Sequence, residues 1–202
     1  MRGRGTPVPP DEKWRLFFAV AMTEEVKARA AEVQRELGKT TGRIVKWVDP
    51  AILHITLKFV GWVPENRVDD CLAVGREVAA VGRRGKLILA GAGAFPNARR
   101  PRVLWLGAAG DIDILAAAAE VFDRRMAEVG LAEAESRTFA AHLTLGRVRQ
   151  GARPPDMTEA IFAFADEQFG EVPVEEILLM RSHLQPSGPV YERSEAFSLP
   201  AS

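Results

Sequence analysis

A chain of 202 residues with 47% hydrophobic content is long enough to bury the core of one bilobal domain or of two small ones. Its 27 Lys and Arg residues balance 27 Asp and Glu, which excludes a protein that coats nucleic acid through a bulk basic excess and confines any RNA contact to a local patch. One cysteine, Cys71, excludes an internal disulfide, and no run of about 18 apolar residues offers a membrane span, so a protein of the reducing cytoplasm with no membrane partner is expected.

Residues 1–13 combine two arginines with three prolines and are expected to form an arm without fixed structure, ahead of a single bilobal domain over 14–200. Residues 15–20 read as a first strand. Phe17 and Phe18 point to its opposite faces, so one packs in the core while the other lines a cleft and stacks on a base; both are candidates for that second role. A helix follows over 23–37, with Val26, Ala30, Val33 and Leu37 at helical spacing, Thr23 as N-cap and Gly38 as the stop. The pattern then predicts a short strand at 45–48, a longer one at 52–60, and a helix at 65–81 with Val68, Leu72, Gly75 and Val78 on one side.

Strands at 86–90 and 102–106 are joined by a loop, 91–101, whose glycines, Phe95, Arg99 and Arg100 suit either a nucleotide clasp or a plain solvated turn. A third helix is expected over 112–129, burying Leu115, Ala119, Phe122 and Met126, and a strand over 139–148. Met157, Ile161 and Phe164 mark a short turn or helix. Strands at 175–184 and 190–199 close the chain as a hairpin around 185–189, where His183 reads as structural or surface.

One phrase occurs twice. His54-Ile55-Thr56-Leu57 and His142-Leu143-Thr144-Leu145 both read His-x-Thr-Leu, and the chain has only three histidines. On average composition, two of three histidines matching by chance is roughly a one in 20,000 event. Alternation at period two puts Ile55, Leu57 and Phe59 on one face of the first strand and His54, Thr56 and Lys58 on the other. In the second, Leu143 and Leu145 take the core and His142 and Thr144 share the opposite face. Each strand thus presents an imidazole and a hydroxyl together.

Two imidazoles facing one cleft can work as general acid and general base in a single displacement, because both protonation states are accessible near neutral pH. A threonine hydroxyl can donate to an anionic oxygen, and Arg147, three residues after Thr144, is a guanidinium suited to phosphate. Lys58 is a candidate for further positive charge in the cleft. Strict alternation points Arg147 into the core, so its use requires a bulge at Gly146. Phosphodiester chemistry fits these groups. A metal-dependent hydrolase does not, since no His-x-Asp or Asp-x-Asp cluster accompanies the histidines.

The paired motifs resemble those of the two-histidine phosphoesterases. Residues 15–20, Trp47, Phe95-Pro96 through Arg102-Val103-Leu104-Trp105, and Ser182 to Tyr191 extend that resemblance, in order, to the RNA 2',3'-cyclic phosphodiesterases, also called 2'-5' RNA ligases. The resemblance implies metal-independent opening of a terminal RNA 2',3'-cyclic phosphate to a 2'-phosphomonoester, with no cofactor. It implies His54 as proton donor and His142 as proton acceptor, with Thr56, Thr144 and Arg147 on the phosphate. The residues themselves do not choose between the two histidines.

The order of elements leads to an α+β fold of two pseudo-symmetric lobes, each an antiparallel sheet with flanking helices, around a central cleft, with the last hairpin returning to the first lobe. A monomer acting on RNA 3' ends is expected. Three other functions share these features: 2'-5' ligation by reversal, a nucleotide-scale cyclic phosphodiester as substrate, and, in a different class, a non-catalytic RNA-end binding protein. Intact histidines and threonines argue against the last.

Overall fold

Nine strands and four α-helices alternate along the chain in the computed structural model, which describes residues 12–185 and 188–201. The strands are β1 (Lys13–Ala21), β2 (Val45–Trp47), β3 (His54–Pro64), β4 (Gly85–Phe95), β5 (Val103–Gly110), β6 (His142–Val148), β7 (Gln168–Val174), β8 (Glu176–Gln185) and β9 (Gly188–Ser198). The helices are α1 (Glu24–Thr41), α2 (Val68–Val81), α3 (Ile112–Glu128) and α4 (Thr158–Phe162). One antiparallel sheet has the order β3-β1-β8-β9 and the other β2-β6-β5-β4-β7. The expected two-sheet α+β architecture is the observed one, and the last hairpin, β8–β9, does join the sheet of the first His strand.

The helices are exchanged between halves. α1, from the first half of the chain, packs on β7 and β6 of the second sheet, while α3 packs on β3 of the first. The residues expected to face inward do so: Val26, Ala30, Val33 and Leu37 of α1 and Leu115, Ala119, Phe122 and Met126 of α3 are all buried. Thr23 caps α1, its hydroxyl accepting from the Val26 N–H at 3.3 Å. The helix does not stop at Gly38. It runs on to Gly42, whose φ of 56° is the left-handed turn that ends it.

Other boundaries also move. Residues 1–11 of the expected arm lie outside the described residues, and Lys13 already opens β1, with Glu12 paired to Arg181 at 2.6 Å. Positions 186 and 187 of the expected turn also lie outside them. Residues 91–95 continue β4 past a bulge at Gly91 (φ 67°), which shortens the expected loop to 96–102. β7 was not legible as a strand, because Gly170 and Pro173 punctuate it; an edge position tolerates both. No helix among the described residues is long and apolar enough to cross a membrane.

Candidate active site

β3 and β6, one from each sheet, lie against each other, and each begins with its histidine. In β3 the pairs Ala19↔Thr56 and Phe18↔Lys58 leave Leu57 as an extra residue. In β6 the pairs Trp105↔Thr144 and Leu104↔Gly146 leave Leu145 extra. Both strands therefore bulge at the leucine of His-x-Thr-Leu. The bulge turns the residue five positions after each histidine back to the histidine face. In β6 that residue is Arg147, opposite Val103 and exposed. The bulge needed to bring Arg147 to the phosphate side is present, one residue before the expected Gly146.

In β3 the same inversion corrects two expectations. Lys58 turns to the core face, where it is 3% exposed and donates to Asp123 Oδ1 at 2.5 Å and to the Glu133 carbonyl at 2.9 Å. It adds no charge to the cleft. Phe59, expected in the core, is 42% exposed on the histidine face. Phe18 is also corrected: it is fully buried and stacked on Phe122 with ring centroids 4.1 Å apart. Phe17 is on the histidine side, its ring 4.8 Å from that of His54, but at 3% exposure it is buried behind the imidazole and offers no open face to a base.

The two imidazoles are held alike. His54 Nδ1 lies 2.8 Å from the Ile52 carbonyl and His142 Nδ1 2.7 Å from the Ala140 carbonyl. A carbonyl only accepts, so Nδ1 carries the proton in both and Nε2 is left for chemistry. Each ring also has two aromatic neighbours. Phe17 and Tyr191 flank His54, with Tyr191 at 5.2 Å; Phe95 and Trp105 flank His142 at 5.1 and 6.5 Å. Gly93 makes room for Trp105, since a Cβ there would come within 2.2 Å of the indole. The hydroxyls of Thr56 and Thr144 and the guanidinium of Arg147 have no hydrogen-bond partner among the described residues, leaving them free to meet a phosphate.

Burial holds the His54 pKa below the ordinary 6.5, against the opposing pull of its bond to Ile52. His54 is therefore mostly neutral at pH 7 in the free protein. Its ring C–H resonance should titrate below pH 6.5 in the free protein, and inorganic phosphate should shift that midpoint upward. A midpoint unmoved by phosphate would separate His54 from the anion site.

Tyr191 was legible only as part of the family resemblance, and no motif marks it, although it is the single tyrosine of the chain. Burial raises its phenol above the usual 10, while the charges of Arg15 and Arg147 pull the other way. Arg99, Arg100 and Arg102 line a groove of about 440 Å³ with Arg153. No group of three His, Cys, Asp or Glu side chains converges to hold a metal among the described residues.

Two histidines with free Nε2 atoms, together with two hydroxyls and a guanidinium that have no partner among the described residues, make on facing strands an arrangement with the groups that acid–base displacement at a phosphate needs. The chain belongs to the LigT like Phosphoesterase family, whose model matches residues 20–105 and 109–191. It is 33% identical over 186 residues to the RNA 2',3'-cyclic phosphodiesterase of Archaeoglobus fulgidus, covering 91% of this chain and 99% of that one. To the Thermus thermophilus protein of the same name it is 36% identical over 189 residues, 92% of this chain and 90% of the relative. Among solved structures, TT0787 of Thermus thermophilus superposes with a TM-score of 0.74 at 35% identity, covering 92% of this chain and 97% of that one. LigT of E. coli with 3'-AMP superposes at 0.71 and 23% identity, covering 93% and 99%, a likeness of fold.

Proposed function

We propose that the protein hydrolyses the terminal 2',3'-cyclic phosphate of RNA to a 2'-phosphomonoester, without a metal or cofactor, as a cytoplasmic monomer. The observation that carries this is the matched pair of strands, each with an imidazole and a hydroxyl on one face and a bulge at the same leucine. The names of the relatives support the substrate.

In the reaction, His142 Nε2 takes a proton from water as the water oxygen bonds to phosphorus. The P–O3' bond breaks, and His54 Nε2 delivers a proton to O3'. The depressed pKa of His54 means that it takes up its proton only when the phosphate anion is beside it, which couples the acid to substrate binding. Thr56, Thr144 and Arg147 hold the non-bridging oxygens as charge builds on them. Phe17 acts behind His54, keeping water from one side of the ring. Ligation with a 2'-5' bond uses the same site, with the 5'-hydroxyl of a second strand attacking phosphorus in place of water.

Hydrolysis of an oligoribonucleotide ending in a 2',3'-cyclic phosphate, assayed with and without EDTA, tests this. Equal rates are expected. Loss of activity in EDTA that added divalent ions restore would overturn the metal-free mechanism.

A further inference from the structure

β3 carries a second one-residue insertion beyond the catalytic bulge. The pairs Phe17↔Phe59 and Leu16↔Gly61 leave Val60 extra, after which Arg15 pairs with Trp62. Arg15 and Phe17, two apart in β1, share a face, and the Phe17 ring lies against His54. Phe59 and Trp62 therefore line up with His54 and Thr56 on one face of the strand. Both are exposed, Phe59 at 42% and Trp62 at 57%.

Single exposed aromatics are ordinary on a protein surface. Two in register with a catalytic histidine, with a cation over one ring and paired across the strands from the other, are not. Arg15 Cζ lies 4.5 Å over the Phe59 ring, and its Nη1 donates to Ser182 Oγ at 2.9 Å. No carboxylate pairs with it among the described residues.

β3 is an edge strand, so a chain laid along this face can leave the cleft unobstructed. Phe59 and Trp62 lie opposite Phe17 and Arg15, which are two regular steps of β1 apart, about 7 Å. That is about twice the 3.4 Å rise of stacked bases, which suits an extended single strand and not a helix. Resting on the proposed RNA substrate, we propose that the histidine-side face of β1 and β3 is a single-stranded RNA track, with Phe59 and Trp62 as stacking platforms for bases 5' of the terminal nucleotide and Arg15 holding the phosphodiester between them.

The test compares kcat/KM for a trinucleotide ending in a 2',3'-cyclic phosphate with that for a nucleoside 2',3'-cyclic monophosphate, and reads the ratio. The intact protein should favour the trinucleotide. Trp62→Ala should lower the ratio about tenfold, Trp62→Phe should restore most of it, and Arg15→Gln should lower it and weaken its dependence on salt. A ratio unmoved by both Trp62→Ala and Arg15→Gln, or an intact protein that favours the mononucleotide, overturns the track while leaving the phosphodiesterase. An intact protein that cleaves neither substrate overturns the phosphodiesterase reading and the track with it.

Discussion

Replacing His142 or His54 with alanine should lower kcat/KM for RNA ending in a 2',3'-cyclic phosphate by about a hundredfold or more, the range expected for loss of a general acid or base. Each imidazole has one nitrogen committed to a backbone carbonyl and one with no partner among the described residues. Both rings sit at strand starts, partly exposed, and alanine there removes little core packing. The variants should therefore unfold at about the urea concentration of the intact protein. The double variant should lose little more than the worse single one, because a proton pair works as a unit. A loss below tenfold in either single variant, measured in single turnover, would remove that histidine from the chemistry.

The largest expected effect on stability comes from outside the site. Asp123→Ala should cost about 3 kcal/mol, since it strands the Lys58 ammonium, 3% exposed, with only the Glu133 carbonyl. Lys58→Met should cost less, because it removes the buried charge and leaves a carboxylate that is 26% exposed and can hydrate. Urea unfolding of the two variants measures the difference. Equal losses would mean that packing, not stranded charge, sets the cost. Partial burial alone would raise the Asp123 pKa, but hydrogen bonds from Lys58 and the Glu135 N–H outweigh it and hold the carboxyl below its usual 3.8. The folded state thus prefers the ionised form. Its contribution is present above about pH 3.8 and is lost as the pH falls through the lower folded value.

Lys58 also shows where a single sequence stops being legible. Period-two alternation places His54, Thr56 and Leu57 correctly and then fails at Lys58, because the Leu57 bulge inverts the strand until the second extra residue, Val60, restores the phase. In β6 the same bulge is flanked by Gly146, and a glycine inside a strand announces an irregularity. In β3 the corresponding place holds Lys58, which announces nothing. Phe59 was hidden for the same reason, whereas Trp62 lies where unbroken alternation from His54 would put it and was missed because the strand was expected to end at residue 60. Helix faces were legible because 3.6-residue spacing has no such phase slip, as the buried positions of α1 and α3 confirm. The exchange of α1 and α3 between sheets was not, since packing partners are a property of the whole chain. Phe17 and Phe18 mark the limit most plainly: the strand put them on opposite faces, but only the assembled sheet tells which one meets His54.

The measurement that tests the central claim most directly is the identity of the RNA end that the intact protein leaves. An oligoribonucleotide with a 2',3'-cyclic phosphate, incubated in EDTA and then examined for the position of its phosphate, should be converted to a 2'-phosphomonoester with a free 3'-hydroxyl. A 3'-phosphate, or a cyclic end left intact by protein whose two histidines are in place, would contradict it.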